Sequence, residues 1–194
     1  MRLLSFLLTI SPTLAWTPPG YSGYRLVWSD TFSGSGGSLP SSQTWDIIDR
    51  NLGVNNEWQT YRANPRQIQL SGGETLQIVP WRDSSAEKGW SSGRIESRYT
   101  FTPRAGGRTM AEGVIRFGGN PTSTKQGIWP AFWLLGDSIR HGTGWPGCGE
   151  LDILETVNGV LTGHGTAHCH VFPNGICNEP TGRGATVAIP NQEW

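Results

Sequence analysis

The chain has 194 residues, a length that predicts a single domain. It contains 27 glycines, 13 prolines and 10 tryptophans, and its 15 basic residues balance its 15 acidic residues. A net charge of zero argues against nucleic-acid backbones and anionic membranes as partners, because both attract a clustered positive field. Few charges, many turn-forming residues and many large aromatic side chains indicate a β-rich protein that recognises a flat, neutral ligand.

The first fifteen residues predict a secretory signal peptide that is cleaved after Ala15. Arg2 supplies an early positive charge, residues 3–10 form an apolar run, and Thr13 is a small residue three positions before the new N-terminus. This apolar run is too short to span a bilayer. We therefore expect a secreted, extracellular protein whose domain comprises residues 16–194, with no membrane association after the signal is removed.

Short segments with β character recur along the rest of the chain, and clusters of Gly, Pro, Ser and Asn separate them. No segment keeps a 3.6-residue apolar period over three turns, so helix is expected to be minor. The pattern predicts an all-β sandwich or barrel. The predicted strands are residues 24–28, 45–48, 67–70, 75–79, 94–101, 110–117, 129–135, 150–154, 164–171 and 186–189.

The segment WPAFWLL, residues 129–135, is apolar on both alternating faces. Such a strand is predicted to be covered on both sides, as in the middle of a sandwich. Its alternation places Trp129 and Trp133 on the same face.

The densest chemical signal is the segment GELDILETVNG, residues 149–159, which holds three carboxylates among apolar neighbours. On a strand, Glu150 and Asp152 share a face, because side chains alternate with period two. Glu155 has the opposite parity, but one extra residue in a β-bulge near positions 153 and 154 would return it to that face. The sequence thus predicts three acids along one side of a strand whose other side is apolar.

Paired carboxylates of this kind suit glycoside hydrolysis. Retention of configuration needs two carboxyl groups about 5–5.5 Å apart, whereas inversion needs about 6.5–9.5 Å. Two glutamates that lean toward each other across the aspartate favour retention. A solvent-facing acidic strand and a calcium loop are the simpler alternatives, although calcium loops usually carry more Asp, Asn and Gly and fewer Leu and Ile.

Together with GIWPAFWLLGD at 127–137 and WPGCG at 145–149, the segment ELDILE resembles glycoside hydrolase family 16, and in particular the laminarinase-like endo-β-1,3(4)-glucanases. The resemblance extends from LVWSDTF at 26–32 through NNEWQTY at 55–61 and SGRIESRYTF at 92–101 to GTAHC at 165–169. It implies a jelly-roll (concanavalin A-like) sandwich of two curved antiparallel sheets. It also implies that Glu150 is the nucleophile, Asp152 the assisting residue and Glu155 the acid/base.

The aromatic residues are consistent with a sugar ligand, because the C–H faces of a pyranose ring lie well on an indole. Trp145 resembles the family's tryptophan that flanks the cleaved sugar. Trp129 and Trp133 are candidates for the floor of the cleft, with core packing as the alternative.

Three polar residues are further candidates for substrate contact. Asn56 and Arg94 resemble substrate-contacting positions of the family, although Arg94 could instead pair with a nearby glutamate. His168 follows the acids on the next predicted strand, where it could hydrogen-bond Asp152 or a sugar hydroxyl, or simply be a core histidine.

The three cysteines allow one disulfide and leave one thiol over. Cys169 and Cys177 enclose a short Pro/Gly loop that a bridge could close, and Cys148 is the third. No zinc-type spacing is present, so neither a metal nor another cofactor is expected. Family members continue for several strands beyond NQEW, residues 191–194, so we expect a C-terminally truncated catalytic domain.

Three functions compete on this evidence. The first is an exported endo-β-glucanase that acts as a monomer on β-1,3- or mixed-linkage glucan. The second is a cell-wall glucan transglycosylase that uses the same residues. The third is a carbohydrate-binding lectin on the same scaffold, which would have no need of three clustered acids.

Overall fold

The computed structural model describes residues 17–189. The predicted signal peptide therefore lies outside the described residues. Within them the chain is all-β apart from two short 3₁₀ turns, Thr122–Thr124 and Asp137–His141, so the prediction of minor helix is confirmed. Neither turn is long or apolar enough to cross a bilayer. The chain divides into two compact units, one ending at Thr100 and the other beginning at Phe101.

The described part of the first unit, residues 17–100, contains seven short strands. They are β1 (Trp45–Ile47), β2 (Gln59–Tyr61), β3 (Ile68–Leu70), β4 (Leu76–Ile78), β5 (Trp81–Arg82), β6 (Trp90–Ser92) and β7 (Ile95–Ser97). β1 pairs with β7, β3 with β4, and β5 with β6, all antiparallel. The pairing of β2 with β6 is parallel, which the long connection through β3, β4 and β5 permits.

The core of this unit lies around β3. Ile68 is fully buried and Leu70 nearly so. The buried Gln67 side chain donates a hydrogen bond of 2.8 Å to Oγ of the buried Ser91. This bond links the start of β3 to β6, so the unit is tied together by a polar contact as well as by apolar packing.

Between residues 101 and 189, the second unit contains a four-stranded antiparallel sheet. Its strands are β8 (Ala131–Leu135), β9 (Glu150–Glu155), β10 (Thr162–His168) and β11 (Arg183–Ala188), in the spatial order β11-β10-β9-β8. After β10, a disulfide joins Cys169 to Cys177, as the loop between them suggested. Among the described residues, Cys148 carries the free thiol.

The bulge predicted in the acidic strand is confirmed. On β8, the neighbouring residues Phe132 and Trp133 pair with Leu154 and Asp152, so Ile153 is the extra residue. The register with β10 shifts at the same place. Because the bulge restores parity, the three carboxylates lie on one face of the sheet.

Several expectations about strands were wrong. Residues 24–28 and 110–117 form no strand, and the sequence did not indicate β2, β5 and β6. The missed strands have only two or three residues, and most of those in β2 and β6 are Gln, Ser or Thr, so they show no apolar alternation. Residues 110–117 do run close to β8, since a β-carbon on Gly113 would lie 3.1 Å from the Phe132 ring.

The prediction that residues 129–135 lie in the middle of a sandwich was also wrong for the part of the chain that the structure describes. β8 is an edge strand of its sheet, Ala131 is exposed, and Trp129 is 47% exposed. The two faces of this apolar run have different surroundings. Phe132 packs near Gly113, whereas the tryptophans lie on the face that carries the acids.

Candidate active site

The carboxylates of Glu150, Asp152 and Glu155, here called the carboxylate row, occupy one face of β9. Asp152 is only 7% exposed, and the two glutamates are half-buried. On the other face, Leu151 and Ile153 are exposed apolar residues. The strand therefore has the acidic and apolar faces that the sequence predicted.

The neighbouring strands surround the carboxylate row with different side chains. Directly paired residues of antiparallel strands point to the same face of a sheet. The residues of β8 paired with the row are Ala131, Trp133 and Leu135, and those of β10 are His164, Thr166 and His168. The row thus lies between an apolar, aromatic strand and a polar strand.

Tryptophans contact both ends of the carboxylate row. The indole N–H of Trp129 donates a hydrogen bond of 2.9 Å to Oε1 of Glu155. The side chain of Trp145 hydrogen-bonds Glu150, and its ring centroid lies 5.5 Å from that of His168. Both tryptophans keep a large exposed surface, 47% for Trp129 and 41% for Trp145. Each ring can therefore contact a ligand that lies along the row.

His168 lies between two carboxylates. Its Nε2 atom is 3.3 Å from Oδ2 of Asp152, and its Nδ1 atom is 2.8 Å from Oε2 of Glu179. Glu179 follows the disulfide loop and is only 2% exposed. No sequence pattern marks Glu179, because an isolated glutamate in a turn-rich segment has no periodicity and no recognisable motif.

The carboxylate row holds protons more tightly than separate carboxylates would. Burial raises the pKa of Glu150 to about 7, and the negative charges of Asp152 and Glu155 act in the same direction. The charge of His168 and the hydrogen bond from Trp145 oppose this rise. Burial also raises the pKa of Glu155, with Asp152 adding to the effect.

Asp152 and Glu150 share one hydrogen bond between their side chains. Burial raises the pKa of Asp152, while the His168 charge and this hydrogen bond lower it. Carboxylates coupled in this way release their protons as a group rather than one by one. The row therefore offers both a carboxylate and a carboxylic acid near neutral pH.

The ligand atoms of Glu150, Asp152 and His168 lie within 4.8 Å of one another, so these three residues could together hold a cation. The same atoms already have partners within the protein, because Glu150 hydrogen-bonds Asp152 and His168 lies between Asp152 and Glu179. Proton sharing accounts for the cluster, and we assign no metal to it.

The remaining candidates, Asn56 and Arg94, lie in the first unit, whereas every residue of the site described above belongs to the second. Asn56 is exposed on a turn, with a positive φ of 56°. Arg94 donates a hydrogen bond of 2.6 Å from Nη2 to Glu96, as its alternative interpretation suggested. A role for either residue in substrate binding stays a prediction.

Comparison with known proteins identifies the family of the chain. A family profile described as "XgeA-like, catalytic GH16 domain" matches residues 71–186, which include the whole carboxylate row. A beta-glucanase of Rhodothermus marinus is 30% identical over 172 residues, covering 86% of this chain and 55% of that protein. A keratan-sulfate endo-1,4-beta-galactosidase of Sphingobacterium multivorum is 28% identical, covering 84% of this chain and 36% of that protein. The chain therefore spans about half or less of the length of these relatives.

Solved structures give the same result. An endo-1,3-beta-glucanase from Streptomyces sioyaensis superposes with a TM-score of 0.74 at 33% identity, covering 90% of this chain and 66% of that one. The laminarinase from Rhodothermus marinus gives a TM-score of 0.62 at 30% identity, and the match covers 86% of this chain and 62% of that one. This likeness confirms the all-β jelly-roll fold class predicted from the sequence. The chain belongs to glycoside hydrolase family 16.

Proposed function

We propose that the chain is the catalytic domain of a secreted, retaining endo-β-glucanase that hydrolyses β-1,3- or mixed β-1,3/1,4-glucan. One observation carries this proposal: the bulge at Ile153 aligns three partly buried carboxylates on one face of β9. The names of the relatives from Rhodothermus marinus and Streptomyces sioyaensis support β-glucan as the substrate.

In the first step, the ionised Glu150 carboxylate attacks the anomeric carbon and forms a glycosyl ester. Glu155 gives its proton to the departing glycosidic oxygen as that bond breaks. In the second step, Glu155 takes a proton from water, the water oxygen attacks the anomeric carbon, and Glu150 leaves as a carboxylate. Two inversions give net retention of configuration.

Burial raises the pKa values of both glutamates, but their neighbours differ. His168 and Trp145 oppose the rise of the Glu150 pKa to about 7 and so increase its ionised fraction, which a nucleophile requires. Burial and the charge of Asp152 favour the protonated form of Glu155, which a general acid requires. Formation of the ester removes the charge of Glu150, and deglycosylation restores it.

The exposed rings of Trp129 and Trp145 supply stacking surfaces for pyranose rings at the two ends of the carboxylate row. Trp133, in register with Asp152, is half-buried between them. We propose Asn56 and Arg94 as further polar contacts. The balanced charge of the chain supports a neutral polysaccharide as partner rather than nucleic acid or membrane, and we propose that the protein acts as a monomer.

Digestion of laminarin, mixed-linkage glucan and keratan sulfate, with sizing of the products, tests the substrate class. Proton NMR during the reaction gives the stereochemistry, because the first product of a retaining enzyme is the β-anomer. We expect oligosaccharides of several lengths and the β-anomer from the two glucans. Release of single glucose units or of the α-anomer would overturn the proposal, and longer products built from oligosaccharides would identify a transglycosylase instead. Binding of glucan without cleavage would identify a lectin.

A further inference from the structure

The carboxylate of Glu179 is buried but fully partnered. Its side chain has no exposed surface. One oxygen accepts a hydrogen bond of 2.8 Å from the backbone N–H of Cys169, and the other lies 2.8 Å from Nδ1 of His168. Carboxylates are almost never fully buried without a partner, since an unpaired buried charge is strongly destabilising. The contacts of its two oxygens therefore compensate for the burial of the Glu179 carboxylate.

The backbone around Glu179 is also fixed. Its N–H donates to the carbonyl of Asn174 at 2.6 Å, and the N–H of Asn174 donates to the carbonyl of Glu179 at 2.8 Å. The disulfide between Cys169 and Cys177 closes the same segment. The carboxylate thus has a defined position relative to the end of β10.

The His168 ring is closely enclosed. Asp152 and Glu150 approach it from β9, Glu179 approaches from the loop, and the Trp145 ring lies beside it. A β-carbon on Gly182 would lie 2.9 Å from Nδ1 of His168, so only glycine allows the chain to pass there. Because an ionised carboxylate can only accept hydrogen bonds, a ring with both nitrogens facing carboxylates is held as the doubly protonated cation.

We propose, on the basis of the function proposed above, that Glu179 is a positioning residue that holds His168 as a cation against Asp152 and thereby increases the ionised fraction of the Glu150 nucleophile. Glu179 touches neither substrate nor reacting atoms in this proposal. It acts through His168, whose positive charge offsets the mutual repulsion of the carboxylate row.

The electrostatics agree with this geometry. Burial alone would lower the pKa of His168, but the hydrogen bond and charge of Glu179, with the charges of Asp152 and Glu150, raise it above its ordinary value. Loss of the Glu179 charge would let His168 become neutral at lower pH. The pKa of Glu150 would then rise further, and the nucleophile would be protonated over more of the working range.

The substitution Glu179→Gln tests this proposal, because it removes the charge and nearly keeps the shape. NMR titration of the His168 ring should give a pKa above the ordinary 6.5 or so in the unchanged protein, and a value lower by about one unit or more in the variant. The acidic limb of the pH profile of kcat/KM should move upward by about half a unit, so activity falls about threefold at acidic pH and recovers at alkaline pH.

Asp137→Asn is the matched control, since Asp137 faces His141 at 3.3 Å in a solvent-exposed pair. It should leave the acidic limb unchanged. A uniform loss of kcat/KM at every pH in Glu179→Gln would reduce Glu179 to a structural role and overturn the proposal. If the Glu179→Gln variant does not fold, titration of His168 in the unchanged protein still tests the proposal. A His168 pKa at or below the ordinary value would contradict it. This titration needs no activity, so it separates failure of this proposal from failure of the proposed function.

Discussion

The indole N–H of Trp129 donates a hydrogen bond of 2.9 Å to Oε1 of Glu155. This bond connects an exposed aromatic ring, suited to stacking on a sugar, with the carboxyl group proposed to protonate the leaving oxygen. Because the donor favours the carboxylate form, it works against the burial that raises the pKa of Glu155. In the proposed mechanism, Trp129 would couple substrate binding to proton transfer.

Trp129→Phe should raise the pKa of Glu155 further, since the opposing hydrogen bond is lost. The alkaline limb of the kcat/KM profile would move upward by about half a unit to one unit, as expected for one exposed charge-assisted hydrogen bond. Trp81→Phe is the control, because Trp81 also loses an indole hydrogen bond, to the carbonyl of Arg66. If the alkaline limb of kcat/KM had the same apparent pKa in the two variants, Trp129 would not control the pKa of Glu155.

Glu155→Ala should impair hydrolysis of natural glucans far more than that of substrates with a good leaving group, since only natural glucans need a proton on departure. Azide should restore turnover and give a β-glycosyl azide, because it attacks the glycosyl ester without a general base. Product analysis by mass spectrometry and NMR checks this. Equal losses on both substrates without azide rescue would place the acid/base elsewhere.

Glu150→Gln should abolish at least nine-tenths of hydrolysis and yet stabilise the protein at alkaline pH. Burial raises the pKa of Glu150 from 4.5 to about 7. When folding raises the pKa of a carboxyl group, the protonated group stabilises the folded state. This contribution is complete below the unfolded pKa of 4.5 and is lost as pH rises through the folded pKa of about 7. The difference between pKa values of 4.5 and about 7 corresponds to at most about 3.4 kcal/mol of unfolding free energy, and we expect about 1–2 kcal/mol for a half-buried group.

Urea unfolding of Glu150→Gln at pH 5 and pH 8 measures this effect. The variant should gain stability relative to the unchanged protein only at the higher pH. Glu87→Gln, on the exposed surface of the first unit, should change little at either pH. A stability difference that does not depend on pH would show that folding does not raise the pKa of Glu150.

Removal of the disulfide by Cys169→Ala with Cys177→Ala should lower the free energy of unfolding by about 2–3 kcal/mol, as expected for a loop closed over eight residues. The acidic limb of kcat/KM should also move upward, because the segment that holds Glu179 is loosened. Cys148→Ala, which removes the free thiol, serves as the control. A loss below about 1 kcal/mol would show that other contacts hold the loop.

The sequence predicted the carboxylate row well, because a strand's period of two and one bulge are local properties of six residues. Trp129 and His168 were likewise found from their positions on the neighbouring strands, whereas Trp145 was found only through the resemblance to glycoside hydrolase family 16. Glu179 was missed because its importance depends on a contact with His168, eleven residues earlier, that no local pattern encodes.

The edge position of β8 was missed for a similar reason. An apolar run looks the same whether it faces a core or presents tryptophans to a ligand. Strands β2, β5 and β6 escaped detection because Gln, Ser and Thr dominate β2 and β6, and β5 has only two residues. Their pairing depends on partners distant in sequence.

Mass spectrometry of the covalent intermediate tests the proposed mechanism most directly. The protein would be incubated with a 2-deoxy-2-fluoro-β-glucosyl oligosaccharide fluoride, which forms the glycosyl ester but releases it slowly, and then digested to peptides. The proposed mechanism predicts one added glycosyl group, located on Glu150 within the peptide that contains ELDILE. Label on Glu155 or outside that peptide, or no label from a preparation that hydrolyses glucan, would contradict it.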